Sequence, residues 1–299
     1  MQKSAKKRWS RTFKMEIFSF SPLNGIALSP LESKKLLRNE RVTINLGMNQ
    51  ARYISDENLI RISFQGRIYE ISKETLEFHA NRRSILVIEG KRIYEAEVRT
   101  QRAYYKLVPL NRVSGVTLEI NGIHMHRIKG TSPLDDAKRK VVMAGVKNNL
   151  SVLEVGTGLG YTTISSLKFG AKRVVTIEKD ENVLWLAERN PWSQWLLSNR
   201  IVILKGDAFY LVDEINERFD VILHDPPRFM SDSGILYSEE FYRKLRKLIK
   251  PRGTMFHYIG DPGRLKGKSL RSKVARRLKR SGFNIVRYDE KSMGLILKV

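Results

Sequence analysis

The first part of the chain alternates apolar and polar residues with a period of two, which is typical of half-buried strands. Between residues 41 and 128, such runs occur at 41–46, 59–64, 67–71, 85–88, 104–108 and 116–120. Gln65 and Gly66 separate two of the runs and are typical of a hairpin turn, and Asn121 with Gly122 form a second turn signal. The pattern predicts a β-rich domain, folded as an antiparallel sheet or a small barrel.

The second part of the chain alternates apolar strand runs with helical segments. Strands are predicted at 151–156, 173–178, 201–205, 219–224 and 254–259, with a closing pair at 283–288 and 295–299. Helices are predicted at 134–147, 159–169, 181–190, 208–216, 238–249 and 270–280. This alternation predicts an α/β, doubly wound parallel sheet, which ends in an antiparallel hairpin and binds ligands beyond the carboxyl ends of its strands.

Residues 130–134 separate the two patterns. Thr131 or Ser132 can cap the helix that follows, and Pro133 fits its first turn. The N-terminal stretch carries Lys and Arg at six positions before residue 15 and lacks the apolar core of a secretory signal. We therefore predict a basic arm at 1–14, a β-rich domain at 15–130 and an α/β domain at 131–299.

The charge of the chain is strongly positive. Lys and Arg number 55 against 31 Asp and Glu, which gives a formal net charge of +24. Such a surplus predicts a polyanionic partner, and basic residues mixed with tyrosines on the N-terminal strands suit RNA, although a sheet with one solvated face shows the same alternation. Since no apolar run reaches about 18 residues, we expect a cytoplasmic protein without a membrane partner.

The chain contains no cysteine. This excludes disulfides, thiolate-bound zinc, iron–sulfur clusters and a cysteine nucleophile of the kind that methylates C5 of pyrimidines. His124 and His126 form a His-x-His pair, which could bind a metal. His126 is also a candidate substrate-binding residue. With no further ligand cluster in the sequence, we expect no metal. The composition also fits a thermophile.

A glycine-rich turn follows the strand at 151–156. The segment 154–160 has the pattern E-x-G-x-G-x-G, and Tyr161 stands where a dinucleotide fingerprint would have its third glycine. This pattern resembles the first motif of class I S-adenosylmethionine-dependent methyltransferases; a tight turn without a ligand is the alternative. The resemblance implies S-adenosylmethionine as cofactor, bound by Glu154, Gly156, Thr157, Gly158, Gly160 and Tyr161.

Acidic residues end the next two strands. Glu178 comes about twenty residues after the glycine turn, where a carboxylate can accept both ribose hydroxyls, and Lys179 follows it. Asp207 and Ala208 follow the third strand. In the resembled family this position accepts from the adenine amino group. We predict that all four residues bind the cofactor.

The fourth strand ends in Asp225, Pro226 and Pro227. Two oxygen acceptors on a stiff loop, the Asp225 carboxylate and the Pro226 carbonyl, can orient an amine nitrogen towards a sulfonium methyl group. The segment resembles the (D/N)-P-P-(aromatic) motif of methyltransferases that act on nitrogen. Arg228 stands at the aromatic position and Phe229 follows, so either residue is a candidate to stack on a base.

The last predicted helix has one apolar and one basic side. Leu270, Val274 and Leu278 repeat with a period of four, while basic residues lie on the outer side. Lys273, Arg276 and Arg277 are therefore candidate phosphate contacts, although a solvated helix face shows the same pattern.

Together these segments resemble an archaeal class I methyltransferase family. The resemblance covers residues from about 122 to the C-terminus and implies methylation of RNA, at N4 of cytidine in ribosomal RNA. An aminopropyltransferase, a protein-amine methyltransferase and a non-catalytic RNA-binding or assembly factor are the alternatives. The net charge counts against the aminopropyltransferase, because its polycationic substrates would be repelled. The oligomeric state is not predicted.

Overall fold

The computed structural model of the chain describes residues 16–110, 115–227, 233–260 and 264–299, with the side chains of 264–269 left out. The predicted basic arm at 1–14 and the candidate residues Arg228 and Phe229 therefore lie outside the described residues. Among the described residues, no helix has the length and apolar character needed to cross a membrane.

The first part of the described chain consists mainly of short strands. They are β1 (Glu16–Phe18), β2 (Ile26–Leu28), β3 (Thr43–Ile44), β4 (Asn49–Gln50), β5 (Arg52–Ser55), β6 (Leu59–Phe64), β7 (Arg67–Ser72), β8 (Leu86–Glu89), β9 (Arg92–Glu95), β10 (Glu97–Arg99), β11 (Tyr104–Pro109), β12 (Val116–Ile120) and β13 (Ile123–His124). Two helices interrupt them, α1 (Pro30–Leu37) and α2 (Lys73–Ala80).

The second part alternates helices and strands. Its helices are α3 (Pro133–Ala144), α4 (Tyr161–Lys168), α5 (Glu181–Arg189), α6 (Ala208–Leu211), α7 (Glu239–Leu248) and α8 (Arg264–Arg280), and 3₁₀ turns occupy Pro191–Leu197, Val212–Glu214 and Gly234–Tyr237. Its strands are β14 (Ser151–Val155), β15 (Arg173–Glu178), β16 (Ile201–Lys205), β17 (Phe219–His224), β18 (Ile249–Tyr258), β19 (Asn284–Asp289) and β20 (Gly294–Lys298).

An eight-stranded sheet has the order β1-β16-β15-β14-β17-β18-β20-β19. The strands from β16 to β18 are parallel to one another, whereas β20 runs antiparallel to both β18 and β19. This confirms the predicted α/β sheet with its closing hairpin. The direction in which the chain adds strands reverses at β14, which lies between β15 and β17. A sheet of this type binds its ligand at such a reversal.

Apolar strands and amphipathic helices build the core of this sheet. In β14 every residue after Ser151 is buried, which a parallel strand covered on both faces requires. Helix α7 buries Phe241, Tyr242, Leu245 and Leu248 and keeps its charged residues on the other side. Val274 and Leu278 of α8 join the same core, fully buried.

The chain divides into two compact units. One, here called the sheet unit, comprises the described residues up to Ser19 together with Asp135–Glu181 and Leu196–Val299. The other, here called the β-rich unit, comprises Phe20–Leu134 and Asn182–Trp195. The domain boundaries predicted from the sequence stay predictions.

The β-rich unit contains separate small antiparallel sheets instead of one sheet or barrel. They have the orders β10-β11-β12-β13, β2-β8-β9, β5-β6-β7 and β3-β4. Two helices with strong N-caps separate the strands. Ser29 and Glu32 form a reciprocal capping box at α1, and Ser72 accepts from the backbone amide of Thr75 at α2.

Candidate active site at the strand ends

The glycine turn after β14 brings two strand ends together. Gly156 has a φ of 95°, and a Cβ atom built there would lie 2.6 Å from the carbonyl oxygen of Asp225. Gly158 has a φ of 54°, and a Cβ atom there would have no neighbour within 4 Å. Gly156 therefore permits the close approach of β17, whereas Gly158 borders open space that a ligand can use.

Glu154 lies beneath this turn and is 1% exposed. Its Oε2 atom accepts hydrogen bonds from the hydroxyls of Thr176, at 2.8 Å, and Thr163. Its Oε1 atom has no hydrogen-bond partner among the described residues. Burial raises the pKa of Glu154 to about 8, and the negative charge of Asp225 acts in the same direction. Glu154 is therefore largely protonated at neutral pH, and its predicted contact with a cofactor stays a prediction.

The Glu178 carboxylate is fixed by three backbone amides. Gly158 donates to Oε2 at 3.0 Å, and Lys179 and Asp180 donate to Oε1 at 2.9 and 3.0 Å. Burial raises the pKa of Glu178 although these amides oppose the shift. Since one of the three donors belongs to the glycine turn, the carboxylate is held beside the open space at Gly158.

Asp207 caps the short helix α6 and faces Lys179. Its Oδ1 atom accepts from the backbone amide of Phe209 at 3.0 Å, while Oδ2 lies 2.9 Å from the Lys179 ammonium. The structure thus brings together two of the predicted cofactor contacts, and Ala208 follows as a buried residue. Thr157 and Tyr161 are also buried, and the Thr157 hydroxyl lies 2.7 Å from that of Thr176.

Asp225 is paired with a residue that sequence reasoning missed. The Lys140 ammonium lies 2.6 Å from Asp225 Oδ2 and 3.2 Å from Asp136 Oδ2, and its side chain is only 10% exposed. Burial acts to lower the pKa of Lys140, but the two carboxylates outweigh it and the net shift is upward. The i,i+4 spacing of Asp136 and Lys140 was the available sequence signal, although nothing in it indicates Asp225.

The Asp-Pro-Pro segment is supported from below by buried aromatic and histidine side chains. The Tyr237 hydroxyl donates to the Pro227 carbonyl at 2.9 Å, and Arg277 donates to the Tyr237 carbonyl at 2.8 Å. His224 and His257 are fully buried, with ring centroids 4.3 Å apart. Burial lowers the pKa of His224 to about 4, so this histidine is neutral at pH 7.

The remaining candidates that the structure describes belong to α8 and to the β-rich unit. Lys273 and Arg276 are exposed on α8, and Arg277, on the same helix, is half-buried against Tyr237. His126 belongs to the β-rich unit, where its Nδ1 atom lies 3.1 Å from the Thr117 hydroxyl. Among the described residues, no group of three or more His, Cys, Asp or Glu side chains could hold a metal ion.

Comparison with known proteins gives the family. A profile described as the spermine/spermidine synthase domain matches residues 138–287, half of the chain. The chain belongs to this family. Its members share the class I methyltransferase fold, and spermidine synthase from Thermotoga maritima superimposes with a TM-score of 0.53 at 20% identity, covering 68% of this chain and 70% of that chain. This likeness shows the fold alone.

Two relatives differ in how much of the chain they share. The uncharacterized protein MJ1233 of Methanocaldococcus jannaschii is 38% identical over 267 residues, which are 87% of this chain and 90% of that protein. A polyamine aminopropyltransferase of Sulfolobus acidocaldarius is 31% identical over 119 residues, 38% of this chain and 39% of that protein. The chain therefore spans less than half of this aminopropyltransferase of the family.

These comparisons correct the function predicted from the sequence. Methylation of N4 of cytidine in ribosomal RNA is wrong, because the matching profile and the aminopropyltransferase relatives favour the alternative named above. The physical reason is that carboxylate oxygens accept hydrogen bonds from a nucleoside or an amine whichever group the donor transfers. The Asp-Pro-Pro segment offers acceptors for an amine nitrogen, but it does not determine which group is transferred to that nitrogen.

Proposed function

We propose that this protein transfers an aminopropyl group from decarboxylated S-adenosylmethionine to an alkyl amine. The family supports the class of reaction. The observation that carries the proposal is the 2.6 Å contact between the Lys140 ammonium and Asp225, since it places an alkyl amine against the carboxylate at the tip of β17. An acceptor amine would bind the same carboxylate through the same kind of charge-assisted hydrogen bond.

The residues beside the glycine turn fit the nucleoside part of such a donor. Open space borders Gly158, and the fixed Glu178 carboxylate can accept from the ribose hydroxyls. Asp207 can accept from the adenine amino group once Lys179, which is 72% exposed, moves aside. S-adenosylmethionine itself has the same nucleoside, so these residues bind the donor class and leave the transferred group to the rest of the site.

Asp225 would orient the acceptor nitrogen and take one proton from its ammonium form, which frees the nitrogen lone pair. In the transfer, this lone pair forms the new N–C bond. The C–S bond of the sulfonium breaks, and its electron pair stays on sulfur as a neutral thioether. The product nitrogen keeps its two remaining protons and the positive charge. Lys140 can remain paired with Asp136 while the acceptor takes its place on Asp225, because its ammonium already contacts both carboxylates.

The proposal is tested by presenting two donors to the purified protein. Decarboxylated S-adenosylmethionine with putrescine or spermidine should give a longer polyamine and methylthioadenosine, both identified by mass spectrometry. Asp225→Asn should lower kcat by at least about a hundredfold, because the variant cannot take the proton. Asp135→Asn, an exposed carboxylate on α3, is the matched control. Donor binding without product from any amine, or methyl transfer from S-adenosylmethionine, would contradict the proposal.

A further inference from the structure

Helix α8 carries the densest positive charge of the described chain. Nine of its 17 residues are Lys or Arg, and none is Asp or Glu. A helix of this length spans roughly 25 Å. An ordinary solvated helix mixes both signs of charge, because opposite charges three or four residues apart stabilise it. The charge of α8 is therefore not explained by solubility alone.

The arrangement carries an energetic cost within the chain. Lys273, Arg276 and Lys279 follow one another at intervals of three residues and are all exposed. Like charges at this spacing repel one another and destabilise a helix. Among the described residues, none of the three forms an ion pair; Arg280, by contrast, lies 3.9 Å from Glu239. An external anion would relieve this repulsion.

The apolar side of α8 excludes one kind of anionic partner. Val274 and Leu278 are fully buried in the core of the sheet unit. A helix that lies in a membrane surface needs its apolar face free to enter the lipid. The helix therefore offers only charge, which suits a polyanion that remains in water.

We propose that the exposed basic face of α8, formed by Lys273, Arg276 and Lys279, binds the phosphate backbone of RNA. The three side chains present a row of cations without a carboxylate between them, and a nucleic-acid backbone presents a matching row of anions. Recognition of this kind is independent of base sequence. Arg277 is not part of the face, since it donates to the Tyr237 carbonyl.

The test compares two triple variants that lose the same charge. One is Lys273→Gln with Arg276→Gln and Lys279→Gln. The control is Lys147→Gln with Lys168→Gln and Lys172→Gln, three exposed residues of the sheet unit outside α8. Binding of a fluorescein-labelled RNA of about 20 nucleotides is followed by fluorescence anisotropy at several KCl concentrations.

The α8 variant should bind RNA at least about tenfold more weakly than the native protein, with a salt slope smaller by about two to three. The control should stay within about twofold of native, since exposed charges that do not contact the RNA are screened by salt. Equal losses in both variants would overturn the proposal in favour of a general charge effect. Loss of binding to an acidic peptide or to anionic vesicles, with RNA binding unchanged, would also overturn it. The assay contains neither donor nor amine, so its result is independent of the aminopropyltransferase proposal.

Discussion

Lys140 and Asp225 form a nearly buried ion pair, with Asp136 as a second carboxylate. Removing one member of such a group leaves the others in a poorly solvated place, which costs more than the pair contributes. At the scale of single residues, the site therefore depends on a charge balance that no local sequence motif reports.

Replacing Lys140 by Met should lower the free energy of unfolding by about 3–5 kcal/mol, because two carboxylates lose their shared cation. The measurement is urea denaturation at pH 7. Lys138→Met, on the same helix but 56% exposed, should change stability by less than about 1 kcal/mol. Adding Asp225→Asn to Lys140→Met should recover part of the loss; equal stability of the two Lys variants would contradict this account.

Glu154 should make the protein less stable as the pH rises from about 4.5 to about 8. Its folded pKa is raised to about 8 by burial, from a usual value of 4.5. Between these values the folded state binds more protons than the unfolded state, so stability falls with increasing pH and is level above that range.

The check is the difference in urea midpoint between the native protein and Glu154→Gln, measured from pH 4.5 to pH 9. Other titrating groups are common to both proteins and cancel in the difference. The urea midpoint of the variant should rise relative to that of the native protein as the pH rises to about 8. A difference that is constant with pH would show that Glu154 is ionised in the folded state.

The positions of the carboxylates at the strand ends could be predicted from the sequence, whereas their hydrogen-bond and ion-pair partners could not. Glu178, Asp207 and Asp225 each follow an apolar strand run, and parallel strands bring their carboxyl ends to one edge. Lys140 lies 85 residues from Asp225 in the sequence. Its contact depends on how α3 packs, which periodicity does not determine.

At the scale of elements, hydrogen bonds of the 3₁₀ turn Gly234–Tyr237 link helix α8 to the segment that follows β17. Arg277 of α8 donates to the Tyr237 carbonyl, and the Tyr237 hydroxyl donates to the Pro227 carbonyl. The turn therefore fixes the position of Pro227, two residues after Asp225, through a hydrogen bond.

Tyr237→Phe should lower kcat while leaving the dissociation constant of the donor unchanged, because it removes the hydroxyl that donates to Pro227 and keeps the ring. Stability should fall by about 1 kcal/mol. Rates with saturating donor, together with isothermal titration of the donor, separate the two effects. Tyr210→Phe, whose side chain is 66% exposed, is the matched control. A change in donor binding as large as the change in kcat would reject a positioning role.

Strand and helix predictions succeeded where the pattern was long and regular. The strands at 173–178, 201–205 and 219–224 have the predicted bounds, since each is an apolar run between turn signals. β1 and β10 were not predicted, because three residues are too few to show a period. α2 was also missed; Ser72 marks its start, but the sequence there continues a strand pattern.

At the scale of the whole molecule, the net charge of +24 opposes the capture of a free polycation. From the sequence, the charge counted against an aminopropyltransferase, but the comparisons favour that alternative. The family match rests on residues 138–287, whereas net charge sums the entire chain.

We expect the KM for spermidine to fall several-fold when KCl is raised from about 10 to about 150 mM, because the screening length shortens from about 30 to about 8 Å. The value of kcat should stay constant, since the Asp225 contact is local. Initial rates at saturating donor give both constants. A KM that rises with salt would show that attraction of spermidine by carboxylates near the site exceeds its repulsion by the net charge.

Strand β1 covers the outer strand of the large sheet, with Glu16, Ile17 and Phe18 opposite Lys205, Leu204 and Ile203. Without it, β16 would present unpaired amides and carbonyls, a template for chain-to-chain association. A protein shortened by residues 1–20 should therefore self-associate with rising concentration in light scattering, whereas one shortened by residues 1–15 should not. The three residues of β1 would thus protect the edge of the large sheet from intermolecular strand pairing.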